Sequence, residues 1–215
     1  GFSLCDDAGA AGNALFLAAG LAGSTCRALN GHAECEAMVA QAMQAYGRVD
    51  AGVFSAGIRY DPIAIVDLET PAFERMLNIN LTGVLRGARA LGRVMKAQGH
   101  GAIVNIASTA GQIPIAGSGP YCVAKAGVIM LTRVMALELA ASGVRVNAVG
   151  PGFTATAMWN VAEDSEAHRW AMSMTPMGRT GTPREQADAC LYLASDESSY
   201  VTGQVLFSAG GQFTG

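Results

Sequence analysis

Charged and titratable side chains are scarce in this sequence of 215 residues. Asp, Glu, Lys and Arg make up 14% of the chain, His occurs 3 times, and the net charge is −3 at pH 7. So small a negative charge gives no electrostatic basis for binding nucleic acid or an anionic membrane surface. The low His content also argues against a metal site built from imidazoles. The 51% hydrophobic content argues against disorder and suits a largely buried sheet.

The sequence also has no paired cysteine motif. Its five cysteines are scattered, form no CxxC pair and leave an odd one over: Cys5, Cys26, Cys35, Cys122 and Cys190. We interpret them as reduced thiols, as in a cytoplasmic protein.

One uncharged stretch, residues 8–26, approaches the length of a membrane span. It contains four Gly and follows Asp6 and Asp7 instead of Lys or Arg, which makes it a poor signal peptide and a poor membrane helix. We therefore predict no membrane partner, a buried helix over residues 10–22, and a strand over residues 24–29.

From residue 34 onward, helical patterns alternate with short apolar runs. The predicted strands cover residues 49–54, 102–107, 144–149 and 204–207. Helices are predicted over residues 34–46, from Thr70 onward, from Pro120 to Gly143, and from Thr182 to Ala194. This alternation predicts an α/β fold with a Rossmann-like, doubly wound parallel sheet. We expect one domain over residues 1–215, with a partly apolar lid or surface hairpin at about residues 155–177.

Three polar side chains are predicted to converge at one edge of this sheet. Tyr121 and Lys125 are four residues apart at the start of a helix, so they lie on the same helical face. Ser108 follows an apolar strand, where open α/β sheets place their ligand crevices. The spacing of Tyr121 and Lys125 alone is common by chance and would also suit an ordinary surface helix.

Six motifs, in order and spacing, resemble those of the short-chain dehydrogenase/reductase family, in particular its ketoacyl reductases. They are residues 54–57 (FSAG), residues 78–83 (NINLTG), Ser108, residues 121–125 (YCVAK), residues 147–152 (NAVGPG), and residues 202–204 with Gly210 and Gly211. The resemblance covers residue 34 to the last residue. It implies an NAD(P)-dependent oxidoreductase that interconverts a small secondary alcohol and a ketone. It also implies a cytoplasmic homo-oligomer, a tetramer or a dimer.

The family's four catalytic positions fall on Asn80, Ser108, Tyr121 and Lys125. The resemblance implies that Tyr121 transfers the proton, and the ammonium of Lys125 with the positive nicotinamide would lower its pKa from roughly 10. Ser108 would hold the substrate oxygen. Lys125 would also bind the nicotinamide ribose, and Asn80 would anchor a water that links Lys125 to solvent.

Cofactor contacts are implied by the same matching positions. Besides Tyr121 and Lys125, they are Ser55, Ala56 and Gly57 under the adenosine ribose and diphosphate, and Pro151, Gly152, Phe153, Thr154 and Thr156 around the nicotinamide. Ile113, Met158 and Trp159 are candidates for lining the substrate pocket.

The family's glycine-rich first turn, TGxxxGxG, is not found in this sequence. Two registers remain open. In the first, residues 2–5 are the family's second strand, Asp6 holds the adenine ribose, and the sheet lacks its first strand. In the second, residues 2–5 are the first strand, a degraded turn leads into a helix over residues 12–23, and Asn30 ends the second strand. Asn30 lies near the adenosine in both, and Asp6 favours NAD over NADP.

Two other functions remain open. Phe54 replaces an amide of the family motif, and the first turn is degenerate, so the chain could be a non-catalytic scaffold related to the family. It could also be a shortened member with impaired cofactor binding. Because all four catalytic residue types are retained, we predict an enzyme.

Overall fold

The computed structural model describes residues 13–19, 23–29, 31–159 and 161–214. Within these residues, six strands form one sheet in the order β2-β1-β3-β4-β5-β6. The strands are β1 (Asn13–Ala19), β2 (Gly23–Leu29), β3 (Ala51–Phe54), β4 (Gly101–Ile106), β5 (Val144–Val149) and β6 (Val205–Leu206).

Strands β3 to β6 pair in parallel, which confirms the predicted parallel sheet for this part of the chain. The α-helices in the described residues are α1 (His32–Tyr46), α2 (Thr70–Leu77), α3 (Gly83–Gln98), α4 (Gly119–Leu139), α5 (Glu166–Ser173) and α6 (Pro183–Ala194).

Helices cover both faces of the sheet. Successive side chains of a strand point to opposite faces, so neighbouring residues of one strand pack in different hydrophobic clusters. Phe54 and Ile103 belong to one hydrophobic cluster, which also takes residues from α1, α3 and α4. Val53 and Val104 point the other way and pack with buried residues of α6. The parallel sheet is therefore buried between two helical layers, as the resemblance implies.

Helix ends follow local sequence signals. At the start of α6, the Thr182 hydroxyl accepts a hydrogen bond from the Glu185 amide, and the Glu185 carboxylate accepts one from the Thr182 amide. This is a capping box, and Pro183 occupies the first turn, where its missing N–H costs nothing. Gly143 follows α4 with φ 71°, and a side chain there would collide with the Gly99 carbonyl. The start of α6 lies where the sequence predicts it, whereas α4 ends at Leu139 and a short 3-10 helix, Ala140–Ser142, separates it from Gly143.

The N-terminal part of the sheet corrects the sequence analysis. Residues 13–19 form strand β1, so the helix predicted over residues 10–22 is wrong. The helix over residues 12–23 that the second register requires is wrong for the same reason. Ala and Leu favour helices, but pairing with β2 and β3 decides the conformation of so short an apolar run. The predicted strand over residues 24–29 is confirmed as β2.

Strand β1 also fills the place beside β3 that the first register leaves empty, but it runs antiparallel to β3. Leu15 pairs with Phe54 and Ala18 with Ala51, so the start of β1 faces the carboxyl ends of the parallel strands. Residues 2–5, Asp6 and Asn30 lie outside the described residues.

Within the described residues, no helix is long and apolar enough to cross a membrane. No group of His, Cys, Asp or Glu in those residues could hold a metal ion.

Candidate active site at the carboxyl edge of the sheet

The loops that follow β4 and β5 form the centre of the site. Ile106 and Val149 end these strands and pair with each other, so the two loops begin side by side. The Thr109 amide donates to the Pro151 carbonyl over 3.0 Å, which fastens one loop to the other. The sheet thereby brings Ser108 and the loop that begins at Pro151 to one crevice.

The side chains of Ser108 and Tyr121 are close enough for one to act on the pKa of the other. Ser108 begins a short 3-10 turn, and its Oγ accepts a hydrogen bond from the Ala110 amide over 3.1 Å. Hydrogen bonding with the Ser108 hydroxyl lowers the pKa of the Tyr121 phenol, so the two side chains lie close together. Two hydroxyl groups therefore meet at this point, as the sequence predicts.

Lys125 lies one turn after Tyr121 on α4 and is 3% exposed. Its Nζ donates to the Ile106 carbonyl over 2.7 Å and lies 5.7 Å from the centroid of the Tyr121 ring. Burial lowers the pKa of Lys125 from 10.5 to about 8. The amine therefore remains mostly protonated at neutral pH, although it lies deep in the protein.

The pKa of Tyr121 departs from the direction that the resemblance implies. Burial raises the pKa of the phenol above its ordinary value of 10.0, and the Ser108 hydrogen bond and the positive charge of Arg59 offset only part of that rise. The protein chain itself therefore favours the protonated phenol. The implied lowering rested in part on a positive nicotinamide ring, which is not a property of the chain alone.

Asn80 is fully buried in a short π-helical segment, Asn78–Thr82, between α2 and α3. Its Oδ1 accepts from the Ile58 amide and its Nδ2 donates to the Ile58 carbonyl, both over 2.8 Å. The Asn80 side chain thus fixes the loop after β3 to the helix. Its implied role in anchoring a water stays a prediction.

Gly57 brings that loop against the catalytic candidates. A Cβ at this position would lie 3.3 Å from Asn80 Oδ1 and 3.8 Å from Lys125 Nζ. The loop can therefore approach both side chains closely because residue 57 has none. Ser55 and Ala56 precede it in the same loop, and their contacts with a cofactor stay a prediction.

The loop that follows Pro151 is held by its own contacts. A Cβ on Gly152 would lie 3.0 Å from Ala209 Cα, so this position has no room for a side chain. Thr154 Oγ1 donates to the Gly152 carbonyl over 3.1 Å, and Thr156, which is exposed, donates to the Thr154 carbonyl over 3.4 Å. All the predicted nicotinamide contacts thus belong to one compact turn at the crevice.

Aromatic rings cover this turn. The Phe153 ring centroid lies 4.6 Å from that of Trp159 and 5.5 Å from that of Trp170. Trp159 belongs to a short 3-10 helix and Trp170 to α5, both in the segment predicted as a lid. That the segment opens and closes stays a prediction.

The sequence analysis missed Arg59. Its guanidinium carbon lies 5.5 Å from the centroid of the Trp159 ring, and its charge acts on Tyr121. The available signal was an Arg two residues after the motif at residues 54–57. Asp6 and Asn30, predicted near the adenosine, lie outside the described residues.

Proteins of similar sequence include a reductase and a dehydrogenase. The family model described as enoyl-(acyl carrier protein) reductase matches residues 28–212. The 3-oxoacyl-[acyl-carrier-protein] reductase FabG of Thermotoga maritima is 42% identical over 174 residues, which cover 81% of this chain and 70% of that protein. Galactitol 2-dehydrogenase (L-tagatose-forming) of Cereibacter sphaeroides is 41% identical over 184 residues, which cover 83% of this chain and 72% of that protein.

A solved structure of similar fold is also that of a dehydrogenase. The gluconate 5-dehydrogenase from Burkholderia cenocepacia J2315, in complex with NADP and tartrate, superimposes with a TM-score of 0.80 at 33% identity. The match covers 85% of this chain and 72% of that chain.

Proposed function

We propose that this chain, which belongs to the short-chain dehydrogenase/reductase family of oxidoreductases, interconverts a secondary alcohol and a ketone with Tyr121 as the proton-transfer group. The observation that carries the proposal is the convergence of Ser108, Tyr121 and Lys125 at the carboxyl ends of β4 and β5. Members of the family use a nicotinamide cofactor, which supplies the hydride chemistry when bound.

The residues around Lys125 fit the nicotinamide half of such a cofactor. Lys125 Nζ has three N–H donors, and among the described residues the Ile106 carbonyl accepts one of them. Gly57 leaves the approach to this ammonium open. We therefore assign the nicotinamide ribose to Lys125 and Tyr121. The nicotinamide side is assigned to residues 151–154 and Thr156, and the diphosphate to residues 55–57.

The adenosine half of the cofactor has fewer candidate binding residues than the nicotinamide half. In an open α/β sheet, a helix that starts at the carboxyl end of the first strand seats the diphosphate. Strand β1 runs the other way, so its last residue, Ala19, lies at the opposite edge of the sheet. We expect weaker cofactor binding than a complete first turn would give. We propose NAD as the cofactor on the sequence position of Asp6.

The protein groups suit reduction at neutral pH. Because its pKa is raised, Tyr121 keeps its proton and can donate it to a carbonyl oxygen as that oxygen gains charge. The Ser108 hydroxyl, close to the phenol, can donate to the same oxygen and hold it in place. The buried charge of Lys125 would favour the negative charge that Tyr121 takes on after donating its proton.

Titration with NADH and NADPH, followed by a panel of ketones with the tighter nucleotide, tests this function. Tyr121→Phe should bind the nucleotide but reduce ketones roughly 100-fold more slowly or worse, because general acid catalysis is lost. Tyr192→Phe, on α6, is the matched control and should keep its activity.

A non-catalytic scaffold is the second candidate, favoured by the reversed direction of β1. It predicts that neither nucleotide saturates the protein and that no ketone is reduced. That result would contradict the enzymatic proposal.

We also propose a homo-oligomer, through helices that include α4. Four apolar side chains on this helix are between 43% and 84% exposed: Val123, Met130, Val134 and Leu137. Spacings of seven, four and three residues place them on one helical face. Light scattering on the wild type should give a multiple of 22.0 kDa, and Leu137→Arg should lower that mass.

A further inference from the structure

A small hollow beside Tyr121 is formed by the loop after β3 and the start of α4. Arg59, Tyr60, Ser118 and Tyr121 are among the residues that line it. The hollow therefore borders the phenol to which we assign proton transfer. A substrate whose oxygen meets Tyr121 would extend towards these side chains.

The guanidinium of Arg59 has N–H groups in this hollow that can bind a ligand. It is partly buried, and among the described residues it makes no ion pair and no side-chain hydrogen bond. Asp61 lines the same hollow, but its exposed carboxylate is not within ion-pair distance of Arg59. A guanidinium carries five N–H donors, and when partly buried it ordinarily binds an anion.

The position of the guanidinium is set by an aromatic ring. Arg59 Cζ lies 5.5 Å from the centroid of Trp159, and the Trp159 ring packs on Phe153. Stacking engages the flat face of a guanidinium and leaves the N–H groups at its edge available. Trp159 therefore holds Arg59 near the reaction centre without consuming its hydrogen-bond donors.

We propose that Arg59 binds a carboxylate of the substrate, so that this enzyme acts on hydroxy acids and keto acids in preference to neutral alcohols and ketones. The planar donor fork of Arg matches the two oxygens of a carboxylate. The inference deepens the proposed function and rests on it for the reaction, while the anion site itself rests on Arg59 and its neighbours alone.

Paired substrates test the proposal. We expect the protein to reduce acetoacetate or levulinate with a kcat/KM roughly 10- to 100-fold above that of the corresponding methyl ester, the range for one charge-assisted pair. The two acids differ by one methylene between carbonyl and carboxylate, so their ranking reports the reach from Tyr121 to Arg59.

Arg59→Gln should remove the preference for the acid by raising the KM of the acid roughly 10- to 100-fold more than the KM of the ester. Loss of the Arg59 charge would raise the pKa of Tyr121 further, but this acts on acid and ester alike, so the ratio of their kcat/KM values isolates the carboxylate contact. Arg59→Lys should recover part of the preference, because the charge remains and the planar fork is lost. Arg184→Gln is the control, since Arg184 is exposed on α6 and paired with Asp188.

Binding without turnover gives a second readout. Trp159 and Trp170 are the two tryptophans of the chain, and Trp159 stacks on Arg59. Levulinate should therefore change the tryptophan fluorescence of the wild type and of Arg184→Gln, but not of Arg59→Gln.

The outcomes separate the two proposals. Equal reduction of acids and esters, unaffected by Arg59→Gln, would overturn the carboxylate site and leave the proposed oxidoreductase standing. An Arg59-dependent fluorescence change without reduction of any ketone would support the site and contradict the oxidoreductase. A response to inorganic phosphate with none to levulinate would overturn the assignment of a carboxylate.

Discussion

Asn80 pairs with Ile58 through both ends of its amide, as a neighbouring strand would pair with that residue. Both hydrogen bonds are 2.8 Å long, and the Asn80 side chain is fully buried. The pairing couples the π-helical segment between α2 and α3 to the loop that carries Gly57. The geometry of the active site therefore depends on a side chain that need not touch the substrate.

Replacing the side-chain amide of Asn80 should destabilise the protein. Asn80→Leu would leave the N–H and C=O of Ile58 without partners, and we expect the free energy of unfolding to fall by about 2–4 kcal/mol. Urea denaturation measures the change. Asn78→Leu, two residues earlier and exposed, should stay within about 0.5 kcal/mol of the wild type. Equal losses in the two variants would contradict a structural role for the Asn80 pairing.

Phe54 and Gly87 form a tight contact between β3 and α3. A Cβ on Gly87 would lie 2.8 Å from Cδ1 of the Phe54 ring. Gly87→Ala should therefore destabilise the protein by about 1–3 kcal/mol through overpacking, although Ala is the better helix former by about 1 kcal/mol.

A double-mutant cycle isolates this contact. In a Phe54→Leu background, the smaller side chain should make Gly87→Ala neutral or stabilising. The same loss in both backgrounds would show that the Phe54 ring is not the cause. The contact also explains why a large apolar residue is accepted where the family carries an amide.

The buried Lys125 makes stability depend on pH. Its pKa is about 8 in the folded protein and 10.5 when free, so between these values the unfolded chain binds more protons. Stability from this residue therefore rises with pH in that window, by up to about 1.4 kcal/mol per pH unit. Below pH 8 both states are protonated and the cost of burying the charge is constant.

Lys125→Met serves as the reference for this measurement, because other groups, such as the Cys190 thiol whose pKa burial raises to about 12, make the same contribution in both proteins and cancel in the comparison. The gap in unfolding free energy between Lys125→Met and the wild type should shift by about 2 kcal/mol in favour of the wild type from pH 8 to pH 10. A gap that does not change with pH would show that Lys125 is not buried as a charge.

Tyr121 should give the two directions of the reaction different pH profiles. Reduction needs the protonated phenol, so its kcat/KM should not fall on account of this group until the pH exceeds 10. Oxidation needs the phenolate, so its rate should climb with pH below the raised pKa. Initial rates in both directions, measured with the same alcohol and ketone pair, test this. If the rate of reduction fell near pH 7 because the Tyr121 phenol loses its proton, that result would contradict the raised pKa of Tyr121.

Local and periodic signals predicted much of this structure. The strand Val144–Val149 and the capping box at Thr182 lie where the sequence places them, because the hydrophobic pattern and the cap are local. Ser108, Tyr121 and Lys125 come together because the strand order and helix spacing require it.

Two features could not be predicted from local sequence patterns. The helix predicted over residues 10–22 is wrong because β1 is fixed by its neighbours in the sheet and not by its own composition. Arg59 was missed because its importance comes from Trp159, which is one hundred residues later in the chain. Contacts of this kind appear only after the chain has folded.

The reversed direction of β1 also changes how its side of the sheet can assemble. Ala19 pairs with Gly23 and Asn13 with Leu29, so the β1–β2 pairing joins residues that are close in sequence. Two antiparallel strands can be joined by a short turn. The parallel strands β3 and β4 are instead joined by a long crossover that includes α2 and α3. The entropy of loop closure is correspondingly small for the hairpin. The part of the sheet that differs from the family is thus also the part whose pairing is mainly local.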